Sequence, residues 1–178
     1  MHRVLHSHMT FTFITPSQAA LIRENRPDMH LFDVSSYGNL GRLSPFSYSK
    51  EYKIPIPGRN DVAHSVESIW QGLKIINGSI DERMFKKRPR KRRGKPTGHQ
   101  YGSEVLNLED ARREIYVPSY SFYVKNHCSD LIDDLLSLDG QVYIHDVEEN
   151  SDLSVDKPLA HASLLAFYLN HKKQGWGN

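Results

Sequence analysis

Ser65-Val66-Glu67-Ser68-Ile69-Trp70-Gln71-Gly72-Leu73-Lys74-Ile75 is the stretch around which the chain is organised. At about 100° per residue, Val66, Ile69, Leu73 and Ile76 fall on one apolar stripe of a helix. Glu67, Trp70, Gln71 and Lys74 fall on the adjoining face, at i, i+3, i+4 and i+7. A carboxylate, an indole, an amide and an ammonium thus share one side of a helix whose neighbouring stripe demands burial. The plainer alternative is a core helix with a solvated flank and Trp70 covering its edge. Asn77-Gly78 supplies the expected stop.

The 178 residues are 38% hydrophobic and 25% charged, which describes one soluble globular domain spanning 1–178. A net charge of +2 conceals a sharp asymmetry. Lys86 to Lys95 holds eight basic residues and no acid; the remaining 15 lysines and arginines face 21 acidic residues, so the rest of the chain sits near −6. The positive charge belongs to one loop, expected over 86–102, rich also in Gly and Pro. Cys128 is the only cysteine, which excludes an intrachain disulfide and a cysteine-based zinc site. Its surroundings suit a structural thiol better than a nucleophile. No apolar run reaches the ~18 residues of a spanning helix, and no secretory leader is evident. A cytoplasmic protein with no membrane association is expected, although 86–93 would also serve as a nuclear localisation patch.

Along the chain, residues 1–10 are expected to fray; His2, His6 and His8 lack a fixed ligand spacing. Phe11 to Ile14 alternates as a short strand, and Thr15-Pro16-Ser17 opens a helix that Pro27 ends. Leu31 to Val34 reads as a buried strand. The loop after it offers Ser35, Asn39, Arg42, Ser44 and Phe46 as substrate contacts, since loops after buried strands commonly carry sites. Tyr52 to Pro57 is held to an edge by its prolines. Asn107 begins a helix running to Tyr116, and Pro118 breaks or restarts it. Ser129 to Leu138 is amphipathic, Gln141 to His145 is the best strand, and Pro158 to about Lys172 is the last helix. The sum is an α+β fold, helices predominating around a few short strands.

Two acidic groups carry chemistry: Glu67, and the cluster Asp146, Glu148 and Asp152 beyond the best strand. Paired carboxylates from separate elements suit cleavage of a glycosidic bond, one activating water and the other stabilising an oxocarbenium-like sugar. A partly buried Glu67 would have the raised pKa such work needs. Lys74 is either a nucleophile or a charge that holds phosphate. Lys87, Arg88, Arg90, Lys91, Arg92, Arg93 and Lys95 form a phosphate-binding strap for nucleic acid, or else a solvated loop. The acidic loop lacks the spacing of a calcium site, so no metal or other cofactor is expected. There is no nucleophile elbow, kinase set or zincin motif.

The helix at 65–75 resembles the signature of the NADAR (YbiA-like) superfamily: a Glu, then an aromatic at +3, Gln at +4, a small residue at +5 and Lys at +7. Leu43-Ser44-Pro45-Phe46 is similar to the segment preceding that helix. Ala111-Arg112-Arg113, Ile115-Tyr116, Pro118, Tyr120, Pro158-Leu159 and His161-Ala162 resemble an uncharacterised bacterial and phage branch. The resemblance implies a YbiA-like fold and an N-glycosidase that removes ADP-ribose from modified bases in nucleic acid, guanine favoured, reversing a toxin's ADP-ribosylation. It alternatively implies cleavage of a free small molecule such as a riboflavin-pathway intermediate. A non-catalytic nucleic-acid-binding protein is the remaining expectation, and no obligate protein partner is inferred. Carried across by position, Glu67 is the catalytic carboxylate, Lys74 holds or attacks the ribose, and Trp70 and Gln71 shape the pocket. Asp152 is taken as the second catalytic group and Asp146 as a substrate contact, with Glu148 as a further alternative. Ser68 stands where the family often has His.

Overall fold

A computed structural model describes residues 10–175. The His-rich stretch with His2, His6 and His8 lies outside that range, whereas Thr10 is already in a strand. Helix and strand are mixed, at 39% and 18%, as an α+β reading requires. Three parallel strands form the main sheet in the order β1 (Thr10–Phe13), β8 (Gln141–His145), β2 (His30–Asp33). The C-terminal strand is central, and its Val142 and Ile144 are fully buried. α1 (Pro16–Asn25) connects the flanking strands. Thr15 caps it reciprocally with Gln18, and Pro16 occupies the first turn. The β1 edge is covered by α6 (His161–Lys173): Asn170 accepts from the Phe11 amide and donates to its carbonyl, at 2.9 and 2.8 Å. A side-chain amide thus stands in for a missing ladder partner.

A short antiparallel ribbon, β3 (Ile54–Pro55) with β4 (Val62–Ala63), precedes α2 (Val66–Leu73). Ser65 caps α2 by accepting from the Ser68 amide. Val66, Ile69 and Leu73 are buried in the core, as the apolar stripe demands. Gly72 is required by packing, because a Cβ there would meet the Phe85 ring at 2.4 Å.

The structure ends α2 earlier than its periodicity suggests. Lys74 and Ile75 leave the helix as β5, which pairs with β6 (Gly98–Tyr101), followed by β7 (Glu104–Leu106). Asn77 and Gly78 both have positive φ, 52° and 77°, and close a two-residue hairpin between Ile76 and Ser79. The Asn-Gly pair is therefore a hairpin turn rather than a helix stop, and β-branched Ile75 and Ile76 suit the strand. The exposed C-terminal carbonyls of α2 find partners on the basic segment. Arg92 donates its guanidinium to the carbonyls of Gln71, Lys74 and Ser79.

From Leu108 to His127 the chain is one continuous helical rod: α3 (Leu108–Ala111), a π-helical turn (Arg112–Tyr116) and α4 (Val117–His127). Pro118 does not break it. Proline cannot donate to the carbonyl four residues back, and the preceding turn is widened, with the Val117 amide reaching Arg112. α5 (Ser129–Leu136) packs Ile132 and Leu135 inward. Cys128 is buried and free, its thiol pushed up by burial, which suits a structural role. No helix among the described residues is long and apolar enough to cross a membrane.

Candidate active site

Parallel strands β2 and β8 both end at one side of the sheet. The loops that follow them wall a cleft of about 370 Å³, the size range of small-molecule sites. Ser35, Ser44 and Phe46 come from the first loop, and Glu148, Asp156 and Lys157 from the second. The floor is α2, which turns Glu67, Trp70 and Gln71 into the cleft, one helical turn apart. Lys74 joins them from β5, His99 from β6, Arg112 and Tyr116 from the π-helical turn, and His161 from the start of α6.

Glu67 is 5% exposed. Burial pushes its carboxyl above the ordinary range, against the opposing pull of the Gln71 hydrogen bond and the Lys74 and Lys91 charges. Gln71 donates to Glu67 Oε1 at 2.6 Å, and its own carbonyl oxygen accepts from the Arg92 amide at 3.1 Å. That second bond fixes which end of the amide meets the carboxylate. Burial lowers the Lys74 ammonium, opposed by Glu67. Burial thus weakens the charged form of both groups in the same enclosed space while the charge of each supports that of the other, a common feature of functional sites. Tyr116 is pushed well above the ordinary phenol value, first by burial and then by Glu67.

Arg112 is 5% exposed, and its guanidinium donates to three carbonyls of the loop after β8: Leu153 at 2.8 Å, Val155 at 2.6 Å and Lys157 at 2.5 Å. One side chain thus shapes that wall. His161 stands between Asp146, 3.0 Å from Nδ1, and the Val34 carbonyl, 2.7 Å from Nε2. Both ring nitrogens thus face oxygen acceptors. Burial opposes ionisation of Asp146. The hydrogen bond and charge of His161, with the Ala162 and Glu148 amides, outweigh burial and hold it below the usual carboxylate range.

The Gly- and Pro-rich composition of 94–102 reads as loop and gives no signal of His99. Its ring is 2% exposed and stacked on Trp70, with centroids 3.9 Å apart and planes at 29°. Burial, then the charges of Lys74 and Arg112, lower it to about 3. Between about 6.5 and 3 the unfolded chain binds a proton that the native ring refuses, so stability falls with acid in that window. We expect His99→Phe to remove this loss. The stability gap between variant and wild type should widen below pH 6.5 by up to ~1.4 kcal/mol per pH unit, measured by urea unfolding at several pH values.

Several residues singled out from the sequence lie elsewhere. Asp152 is exposed and outside the cleft, its carboxylate accepting from the Ser154 amide and hydroxyl. Asp146 is enclosed beneath the cleft as the partner of His161. Asn39 accepts from the Asp33 amide, and Arg42 pairs with Asp130 on the surface. Of the basic strap only Lys91 lines the cleft. Arg92 caps α2. Lys87, Arg88, Arg90, Arg93 and Lys95 are exposed, Arg88 with its guanidinium 5.3 Å from the Tyr48 ring. Among the described residues no cluster of His, Cys, Asp and Glu fits a metal ion.

Comparison with protein-family models matches residues 15–165 to a family of unknown function, DUF6939. The chain belongs to that family. The span shared with DUF6939 encloses every residue of the cleft, from Ser35 to His161, while β1 lies outside it. No curated protein and no solved structure matches the chain. Arg112, Tyr116 and His161, now found together, stood in the sequence within Ala111-Arg112-Arg113, Ile115-Tyr116 and His161-Ala162, without a signal that they converge.

Proposed function

We propose that this DUF6939 member is an N-glycosidase that removes ADP-ribose from modified bases, guanine favoured, in DNA or RNA. It would act in the cytoplasm to reverse ADP-ribosylation by a toxin. The observation that carries the reading is Glu67: a buried carboxyl of raised pKa on the floor of a cleft, oriented by Gln71 and flanked by Lys74. In the proposed step the bond between the ribose anomeric carbon and the base nitrogen breaks. Glu67 takes a proton from the attacking water, whose oxygen joins the anomeric carbon, and that proton is passed on to the departing base nitrogen, which leaves Glu67 ionised for the next turnover. Glu148, which lines the cleft, replaces Asp152 as the second carboxylate and steadies the developing positive charge on the sugar. Lys74 and Lys91 serve as charges for the pyrophosphate. The NADAR-like signature of α2 adds to this reading, and with it a YbiA-like fold.

A specific observation favours a second reading, hydrolysis of a free small molecule: most of the basic strap lies outside the cleft. Neutralising Lys87, Arg88, Arg90, Arg93 and Lys95 together separates the two, with Arg92 retained because it caps α2. On the first reading, release of ADP-ribose from a modified oligonucleotide falls at least tenfold. Binding to the oligonucleotide also loses part of its salt dependence, about 0.9 in log–log slope per phosphate contact removed. Equal release from polymer by variant and wild type supports the small-molecule reading. Binding without release, unaltered in Glu67→Gln, supports a non-catalytic nucleic-acid-binding protein.

A further inference from the structure

His99 lies within the cleft, yet neither of its ring nitrogens has a hydrogen-bond partner among the described residues. Both are sealed from solvent, and the face of the ring is stacked on the Trp70 indole. A buried, unpaired polar group is costly, and a phenylalanine of nearly the same shape would stack on Trp70 without that cost. Of the buried unpaired side-chain atoms among the described residues, only those of His99 belong to a residue that lines the cleft, where a ligand can supply the missing partner.

We propose that His99 is a ligand-binding residue, and that one of its unpaired ring nitrogens holds a ribose hydroxyl of the substrate. The proposal rests on the N-ribosyl reading above and assigns the sugar subsite within it. The chemistry of the cleft distinguishes sugar from phosphate. A neutral imidazole offers one donor and one acceptor, and a hydroxyl can answer either tautomer. A phosphate oxygen only accepts, and the ammonium groups of Lys74, Lys91 and Lys157 line the same cleft to receive it. His99 sits beside Lys74 in the β5–β6 ladder, which places the sugar subsite next to the phosphate subsite.

Titration calorimetry of the whole protein with ADP-ribose, and separately with inorganic pyrophosphate, tests this. His99→Phe should melt higher than wild type and bind ADP-ribose about tenfold more weakly, the worth of one good hydrogen bond, while pyrophosphate binding stays unchanged. His99→Gln, which keeps a donor and an acceptor, should recover part of the lost affinity. Should phenylalanine not be accommodated, His99→Leu replaces it in the comparison with His99→Gln. ADP-ribose affinity unchanged in the apolar variant overturns the proposal. Equal weakening of pyrophosphate overturns the assignment to sugar. Failure of wild type to bind ADP-ribose overturns it as well. Wild type that binds ADP-ribose without releasing it from modified nucleic acid overturns only the enzymatic reading, so the two failures are distinguishable.

Discussion

Glu67→Gln should lower hydrolysis by about 10²- to 10⁴-fold, the usual contribution of a positioned acid–base group, while leaving the fold intact. Glutamine preserves the shape and still accepts from Gln71 through its carbonyl oxygen, so the α2 geometry and the Arg92 contact persist. It cannot take a proton from water. The same substitution should stabilise the protein at neutral pH. A carboxyl whose native value is raised above its unfolded value is favourable when protonated and becomes a burden when ionised. The burden grows as pH rises from about 4.5 and levels off above the native value. Wild type and Glu67→Gln should therefore have similar stability near pH 4 and separate at pH 7, with the variant the more stable. Activity lost together with melting temperature would mean that Glu67 holds the fold rather than the chemistry.

The largest loss of stability is expected at Arg112. Its guanidinium donates to three carbonyls of the loop after β8; truncation strips that donor from the Leu153 carbonyl and leaves Val155 with only the Lys157 amide and Lys157 with only the Asn150 side chain. Hydrogen bonds to a charged group contribute about 1.5–3 kcal/mol each and are not additive. We expect Arg112→Ala to cost about 3–5 kcal/mol, or roughly 6–20 °C in Tm for a chain of this size. Arg112→Lys should recover little, because one ammonium cannot reproduce the planar fork. Limited proteolysis should cut 147–159 in either variant well before the rest of the chain. Calorimetry showing less than about 1 kcal/mol lost would place the loop's stability elsewhere.

Much of this architecture was legible in the chain. Thr15-Pro16 announces α1, the apolar stripe of Val66, Ile69 and Leu73 places α2 in the core, and Gln141 to His145 reads as the strand that turns out to be central. The physical reasons for the departures are specific. Asn-Gly stops a helix or turns a hairpin equally well, and the strand partner that decides, β6, lay hidden in a Gly- and Pro-rich segment. Pro118 looks like a break because the sequence does not show that the preceding turn widens to accommodate it. At the site, Glu67, Trp70 and Gln71 share a face because helical periodicity dictates it, whereas Lys74 arrives there from a strand. Asp152 lies outside the cleft, because an acidic loop of seven residues, 146–152, does not say which carboxylate turns inward. Arg112, Tyr116, His161 and His99 meet at the cleft through tertiary contacts, and no local pattern encodes that convergence.

The central claim to test is that the Glu67 cleft breaks an N-glycosidic bond. The direct measurement is chromatographic quantification of ADP-ribose released from an oligonucleotide carrying ADP-ribosylated guanine, with wild type and Glu67→Gln in parallel. Wild type is expected to show multiple-turnover release and restoration of unmodified guanine, with a rate at least a hundredfold lower for Glu67→Gln. No release by wild type, or equal release by the variant, would contradict it.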